Sequence, residues 1–319
     1  MSAKHRQPGE PGVGFVGLGR MGSAMAANLA AAGHRVIAYV RQADQVERLS
    51  ALGLEPTTDI ADLFGCGVVI TMLPGDAAVS EVALGGGGPG ARGLAQRLKP
   101  GAIHLCMSTI STGMASRLAA AHAQHGQGYV GAPVFGNPDA AKARQLFIIS
   151  AGADHDLARC QPLFDSLGQK TVVVGPEPWR ANLVKLMGNM MSATALEMIS
   201  ETVTVFRKRG IDPQLFIDIM TGTMFGGRAH KIYGDKIVRQ SYAPGFVMPL
   251  VLKDVRLALA EAEAAGAPMP SVNVVHDRLV TGIARGHDDL DWTALGLIAA
   301  EEAGIGSAHP FSVTPIPAQ

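Results

Sequence analysis

With 319 residues the chain is long enough for about two domains, each with material for a core of its own. Lysine plus arginine and aspartate plus glutamate both number 27, so no net charge steers it towards nucleic acid or an anionic membrane. The cysteines Cys66, Cys106 and Cys160 are odd in number and far apart, and the ten histidines are scattered. This pattern makes neither a disulfide framework nor a metal site and points to a reducing, cytoplasmic compartment. No apolar run approaches the length that spans a bilayer. Residues 1–11 read as a loose polar tail without an apolar leader core.

The first element is an apolar strand, Val13 to Gly17, leading into Gly17-Leu18-Gly19-Arg20-Met21-Gly22 and a helix from about Met21 to Ala32. His34 to Val40 then forms a second strand. Strand, glycine turn, helix and strand within about thirty residues is the setting that makes a GxGxxG match specific for a dinucleotide. Gly17 allows the tight turn, Gly19 lets the backbone approach a pyrophosphate, and Gly22 lets helix and strand pack. The helix N-terminus supplies free N–H groups for the anion. At the end of the second strand an NAD site usually carries an acid for the ribose 2′-hydroxyl. Here Arg41 and Gln42 follow Val40, and no acid comes before Asp44. A guanidinium pairs with a 2′-phosphate, so the expectation is NADP(H) preferred over NAD(H); an ordinary surface arginine is the bland alternative.

Further strands follow over Gly67–Leu73 and Ala102–Cys106, each ending in a loop. Ligands of doubly wound sheets bind outside the carboxyl ends of the strands, which makes Leu73, Pro74, Ser108 and Thr109 candidates to line the cofactor site. For Leu73 and Pro74 a plain strand-ending turn is as good a reading. Gly85 to Gly90 is a loop without a feeding strand and a poor second phosphate cradle. Tyr129 to Asn137 is another strand-then-loop, and Leu146–Ser150 and Lys170–Val174 read as the last strands of a domain covering 12–176.

From Trp179 to Arg209 the chain reads as one long helix rich in Ala, Leu, Met and Val, placed here as an interdomain helix over 177–209. Asn182, Lys185, Asn189 and Ser192 recur at steps of three and four and share one face. Such a stripe is costly in an apolar helix unless something uses it. Lys185 either snorkels to solvent or pairs with an acid, or it transfers a proton between two domains. Residues 210–319 read as all-helical, with helices to about Met220, over Pro249–Ala265, Ser271–Arg285 and Trp292–Ala303, and a loose tail from Ala308. Met224 and Phe225 either wall a pocket or belong to the core. Lys253 and Asp254 lie early in their helix, where Asp254 complements the helix dipole.

Taken together, Gly14-Phe-Val-Gly-Leu-Gly-Arg-Met-Gly22 with Ala27-Asn28-Leu29, Thr71-Met-Leu-Pro74, Ser108-Thr109, Ala132-Pro-Val134, Asn182-Leu-Val-Lys185 with Asn189, and Leu252-Lys253-Asp254 resemble the β-hydroxyacid dehydrogenases. This is the group containing 3-hydroxyisobutyrate dehydrogenase and tartronate semialdehyde reductase. The resemblance runs from about Val13 to Leu295. It implies an α/β Rossmann-type dinucleotide-binding domain, a long connecting helix and a C-terminal all-α domain. It also implies that Lys185 is catalytic, that Asn189 binds and orients substrate, and that Lys253 contacts the cofactor. Homodimers or homotetramers are implied as well, and the apolar long helix would suit an interface.

One stretch departs from the family. Members acting on carboxylates usually follow Ala-Pro-Val with Ser-Gly-Gly, which cradles the carboxylate. Here Ala132-Pro133-Val134 is followed by Phe135-Gly136-Asn137. A carboxylate loses a hydrogen-bond donor there, at about 1–3 kcal/mol per unmatched polar group. These six residues are the candidate substrate loop, and a larger or less polar carbonyl compound fits it better than a small hydroxy acid. The expected chemistry is hydride transfer between nicotinamide and a carbonyl or alcohol, with Lys185 as proton donor in reduction and base in oxidation. Imine reduction is a second reading, which the retained lysine disfavours. A cofactor-binding module without catalysis is a third, marked by loss of Lys185 or Asn189, and both are present.

Overall fold

A computed structural model describes residues 12–86 and 92–305; the two tails read from the sequence, and residues 87–90 of the glycine loop, lie outside them. The chain divides into two compact units, one up to Lys185 and one from Leu186 onward. The division falls inside the long helix rather than in a loop.

The first unit holds β1 (Val13–Val16), α1 (Arg20–Ala31), β2 (Val36–Tyr39), α2 (Val46–Ser50), β3 (Glu55–Thr57), β4 (Val68–Thr71), α3 (Asp76–Leu84), α4 (Leu94–Arg97), β5 (Ile103–Cys106), α5 (Thr112–Ala123) and β6 (Gly128–Gly131). Their strands form a six-stranded parallel sheet in the order β3-β2-β1-β4-β5-β6. All four residues of β1, of β4 and of β5 are buried, as expected for central parallel strands covered on both faces. Strand order reverses between β1 and β4, and in open sheets of this type the ligand crevice opens at that point. β3 is a strand the sequence reading passed over. It is three residues long with Pro56 at its centre, tolerated because the strand lies at the sheet edge.

The unit continues through β7 (Val134–Phe135), α6 (Pro138–Lys142), β8 (Leu146–Ser150), α7 (Asp154–Leu167), β9 (Gly168–Val173) and the first turns of α8 (Trp179–Lys208). The expected last strands of the domain do not extend the main sheet; they make a separate three-stranded sheet, β7-β8-β9, with β7 antiparallel to β8. Pro133 sits between β6 and β7 and has no N–H to continue a ladder.

Beneath β4 and β5 runs a buried chain of polar side chains. The Gln127 amide is fixed by two carbonyls: its Nε2 donates to Ala95 O (3.1 Å) and Leu98 O (2.7 Å). Its Oε1 must then accept from His122 Nδ1 at 2.6 Å. Assigning hydrogens onward from this end, His104 Nδ1 donates to His122 Nε2 (2.8 Å) and the Thr71 hydroxyl donates to His104 Nε2 (2.9 Å). Every step has one direction, which requires both rings to be neutral. Burial holds His104 well below the ordinary histidine range and lowers His122 to about 4. The Tyr129 ring stacks on His122 at 5.8 Å.

The second unit comprises the rest of α8 with α9 (Pro213–Gly222), α10 (Arg228–Val238), α11 (Met248–Ala264), α12 (Pro270–Ala284) and α13 (Leu295–Glu302). Leu186, Met190, Ala193, Leu196, Ile199 and Val203 recur at steps of three and four along α8 and face a core with Val255, Leu279, Trp292 and Ile298. The sequence reading passed over α10, which carries Gly234. A Cβ there would come within 3.0 Å of Ile217, so the glycine permits close packing of α9 and α10. Met224 is 78% exposed, which removes the core reading for that residue. Arg278 bonds the buried Glu197 at 2.8 Å and also pairs with Glu302.

Candidate active site

The glycine turn between β1 and α1 behaves as its spacing demands. Gly17 has φ +98°, and a Cβ on it would collide with the Met72 carbonyl, while a Cβ on Gly22 would collide with the carbonyl of Gly17. Around Gly19 there is open space instead, and no side chain caps α1. Two glycines are therefore needed by the protein itself, and the third leaves room over bare N–H groups, the combination a pyrophosphate requires. The Ser23 hydroxyl donates to Leu18 O at 2.6 Å and fixes the turn. Arg20 is exposed, Leu18 and Met21 pack on the main core, and Arg41 stands exposed just past the carboxyl end of β2.

At the next strand ends the roles separate. Ser108 is fully buried; its hydroxyl accepts the Leu73 N–H at 2.8 Å and donates to Thr71 O at 3.2 Å. It thus staples the loop after β4 to the loop after β5, which sets where partly buried Leu73, exposed Pro74 and partly buried Thr109 lie. In α3, Asp76 accepts from Ser111 N and Oγ, and Ser111 caps α5 through Met114 N. The sequence reading gave neither residue a role.

The start of α8 is pressed onto this edge of the unit. A Cβ on Gly131 would lie 2.6 Å from Pro178 O, so only glycine lets the helix approach β6 this closely. Asn182 is fully buried and its Oδ1 accepts the Ile110 N–H at 3.3 Å. One turn on, Lys185 is only 8% exposed, which removes the snorkelling alternative. Its Nζ lies 4.3 Å from the centroid of the Phe135 ring. Of the two residues that depart from the family pattern, Phe135 is therefore the one lying against the lysine.

The remainder of the substrate loop divides by what its side chains already do. Ala132 and Val134 belong to the sheet core and Pro133 is buried, so these three offer a ligand mainly backbone. Gly136 has φ +140° and is exposed. Asn137 caps α6, its Oδ1 accepting from Ala140 N at 2.9 Å. Asn28 anchors the same helix to α1 by donating to Ala141 O at 2.6 Å.

In the second unit Asn189, one further turn along the face that carries Lys185, is buried and donates from Nδ2 to Asp254 Oδ2 at 2.6 Å. Asp254 Oδ1 takes the Lys253 ammonium at 2.8 Å. Asp254 is 1% exposed, so the dipole role read from its place early in α11 is corrected: it is the buried acceptor that orients Asn189. The signal was present in the sequence, since Val251, Leu252, Val255 and Ala258 define a buried face on which an acid needs a partner.

A cavity of about 410 Å³ lies at the amino ends of β1, β2 and β4, lined by Gly12, Arg35, Glu55, Asp62 and Cys66. This is the opposite edge from the glycine turn, and burial pushes the Cys66 thiol up to about 11, leaving it a poor nucleophile. Among the described residues no group of three or more His, Cys, Asp or Glu side chains is placed to hold a metal. Nor, among them, is any helix long and apolar enough to cross a membrane.

Comparison with known proteins covers most of the chain. Residues 12–175 match the NAD binding domain of 6-phosphogluconate dehydrogenase, and residues 180–298 match the domain described as the NAD-binding domain of NADP-dependent 3-hydroxyisobutyrate dehydrogenase. The oxidoreductase YfjR of Bacillus subtilis, itself uncharacterized, is 37% identical over 89% of this chain and 98% of its own. The 2-hydroxy-3-oxopropionate reductase of Escherichia coli is 30% identical over 89% of this chain and 95% of its own. In fold, the crystal structure of a 3-hydroxyisobutyrate dehydrogenase from Salmonella typhimurium superposes with a TM-score of 0.80 at 21% identity, covering 91% of this chain and all of that one. The chain belongs to the β-hydroxyacid dehydrogenase family and is an NAD(P)-dependent oxidoreductase acting on CH–OH groups.

Proposed function

We propose that the protein is an NADP(H)-preferring reductase of a neutral, partly apolar carbonyl compound, with Lys185 as proton donor in reduction and proton acceptor in the reverse direction. The observation that carries this reading is the Lys185 amine, buried on the polar stripe of a largely apolar helix and lying against an aromatic ring. The glycine turn and the N-terminus of α1 would hold the pyrophosphate, with Leu73, Pro74 and Thr109 along the same strand ends. Arg41 would take the 2′-phosphate through charge-assisted hydrogen bonds. When bound, the nicotinamide supplies or accepts the hydride. As a carbonyl is reduced its oxygen gathers negative charge, and an ammonium within reach stabilises that charge and delivers the proton. Asn189, oriented by Asp254, would hold the substrate oxygen or a neighbouring hydroxyl.

The neutral-substrate reading is supported by the loop after β6, where Phe135 offers a ring in place of a hydroxyl donor that would serve a carboxylate. We further propose a cytoplasmic homodimer or homotetramer. Cys66, Cys106 and Cys160 are free buried thiols. Val184, Met191, Met198 and Val205 are exposed at seven-residue steps along α8, an apolar stripe that a second copy would cover; light scattering reads the assembly.

The test is a panel of aldehydes, ketones, keto acids and cyclic imines assayed with NADPH and NADH, with preference read as kcat/KM. Neutral carbonyl compounds with NADPH should lead; a leading keto acid or imine overturns the substrate reading. Lys185→Ala should keep NADPH binding while turnover drops by orders of magnitude, and near-normal turnover removes the lysine from the mechanism. Arg41→Ser should weaken NADPH binding by about tenfold or more and leave NADH almost unchanged.

A further inference from the structure

We propose that Phe135 is a positioning residue for Lys185, its ring face serving as the seat that holds the ammonium in place for proton transfer. The inference rests on the reading of Lys185 as the proton-transfer group and assigns a role to its neighbour. A lysine amine rides on four rotatable bonds, and an apolar wall offers it no preferred direction. An aromatic face does, because its quadrupole attracts a cation, more strongly where water is kept away. The Nζ-to-centroid distance of 4.3 Å lies well within the range of that attraction, and Lys185 is 8% exposed.

The ring is itself held. Phe135 is half-buried on β7 and pairs across the ladder with Phe147 of β8. Behind it the backbone turns at Gly136, where φ is +140° and a Cβ would lie 2.7 Å from the Leu146 side chain. Asn137 then locks the loop by capping α6. The lysine stem is fixed just as firmly, by the close approach of Gly131 to Pro178 O and by the bond from Ile110 N–H to Asn182 Oδ1 one turn earlier. Two rigid supports thus face each other with the ammonium between them. Leucine at position 135 would fill similar space without a π face, whereas tyrosine would keep the face.

A double-mutant cycle on the intact protein tests this, using the best substrate from the carbonyl panel. Phe135→Leu should lower kcat by about 3- to 30-fold with KM little changed, the range a cation–π contact of ordinary strength implies. Phe135→Tyr should restore most of the loss. In a Lys185→Ala background Phe135→Leu should cost nothing further, since no ammonium remains to be seated. Thermal melting of each variant separates folding from function. An equal loss with and without the lysine, a rise confined to KM, or no rescue by a folded tyrosine variant overturns the proposal and leaves Phe135 as packing or as a substrate wall. Near-normal turnover of Lys185→Ala alone overturns the underlying reading of the site, a different result from any of these.

Discussion

Two sets of buried polar groups among the described residues differ in the kind of partner each one has. The chain Thr71, His104, His122 and Gln127 in the first unit runs in a single direction and ends on two backbone carbonyls, so its hydrogens are committed within the protein. Along one face of α8 the partners are of another kind. Lys185 leans on a ring, and the amide of Asn189 is gripped through its nitrogen by Asp254. Burial of a titratable side chain is therefore not in itself the mark of a site. The histidine chain is the deeper of the two, and on the proposed reading the α8 face holds the proton-transfer amine and the substrate-orienting amide.

That contrast can be broken from either side. The largest expected effect is on stability. His104→Leu removes the middle of the chain and leaves Thr71 and His122 without their partners, at about 2–6 kcal/mol for two unmatched buried groups. Denaturant melts should show that loss while turnover per folded molecule stays near that of the unaltered protein. A fall in turnover that persists in fully folded enzyme would show that the histidines reach the chemistry after all.

Acid should act on the same chain. Burial lowers His122 in the folded protein to about 4, against 6.5 when unfolded, so between these values the unfolded state binds more protons. Its contribution is fully present above about pH 6.5 and is lost as pH falls towards 4, a total of about 3 kcal/mol from His122 alone. His104 adds in the same direction. Urea midpoints measured across this range should fall steeply, and a flat profile would mean that one ring is already charged in the folded state.

The smaller effect belongs to the α8 face. Asp254→Asn keeps the shape of the acceptor but weakens its hold on Asn189 and releases Lys253. A group displaced by about an ångström near the chemistry costs up to about a hundredfold, so kcat/KM should fall about 10- to 100-fold with melting changed by only a few degrees. If melting collapses and the activity of the folded fraction is intact, Asp254 belongs with the histidines.

How much of this was legible in the residues depended on range. The glycine turn was readable because its reasons are local: Gly17 and Gly22 meet carbonyls within a few residues or on the neighbouring strand. The long helix was readable from its apolar run and lack of breakers, and the polar stripe on it from spacing alone. Short elements were not, as with the three-residue β3 around Pro56 and the 11-residue α10. Asp254 was visible as a residue but assigned to the nearest local cause, the helix dipole, because its partner lies 65 positions away.

By itself, then, the sequence determined the periodicities, the φ-demanding glycines and the chemical kinds of side chain available at each strand end and helix face, since these follow from each residue and its near neighbours. Only the tertiary structure decided which polar groups meet one another. It set Phe135, read from the chain as an obstacle to a carboxylate, beneath an amine 50 residues further along. It sent β8 and β9 into a sheet of their own, and it closed the histidine chain on Gln127. Hydrogen-bond and cation–π partners are chosen by distances of a few ångströms in space, and separation along the chain does not encode them.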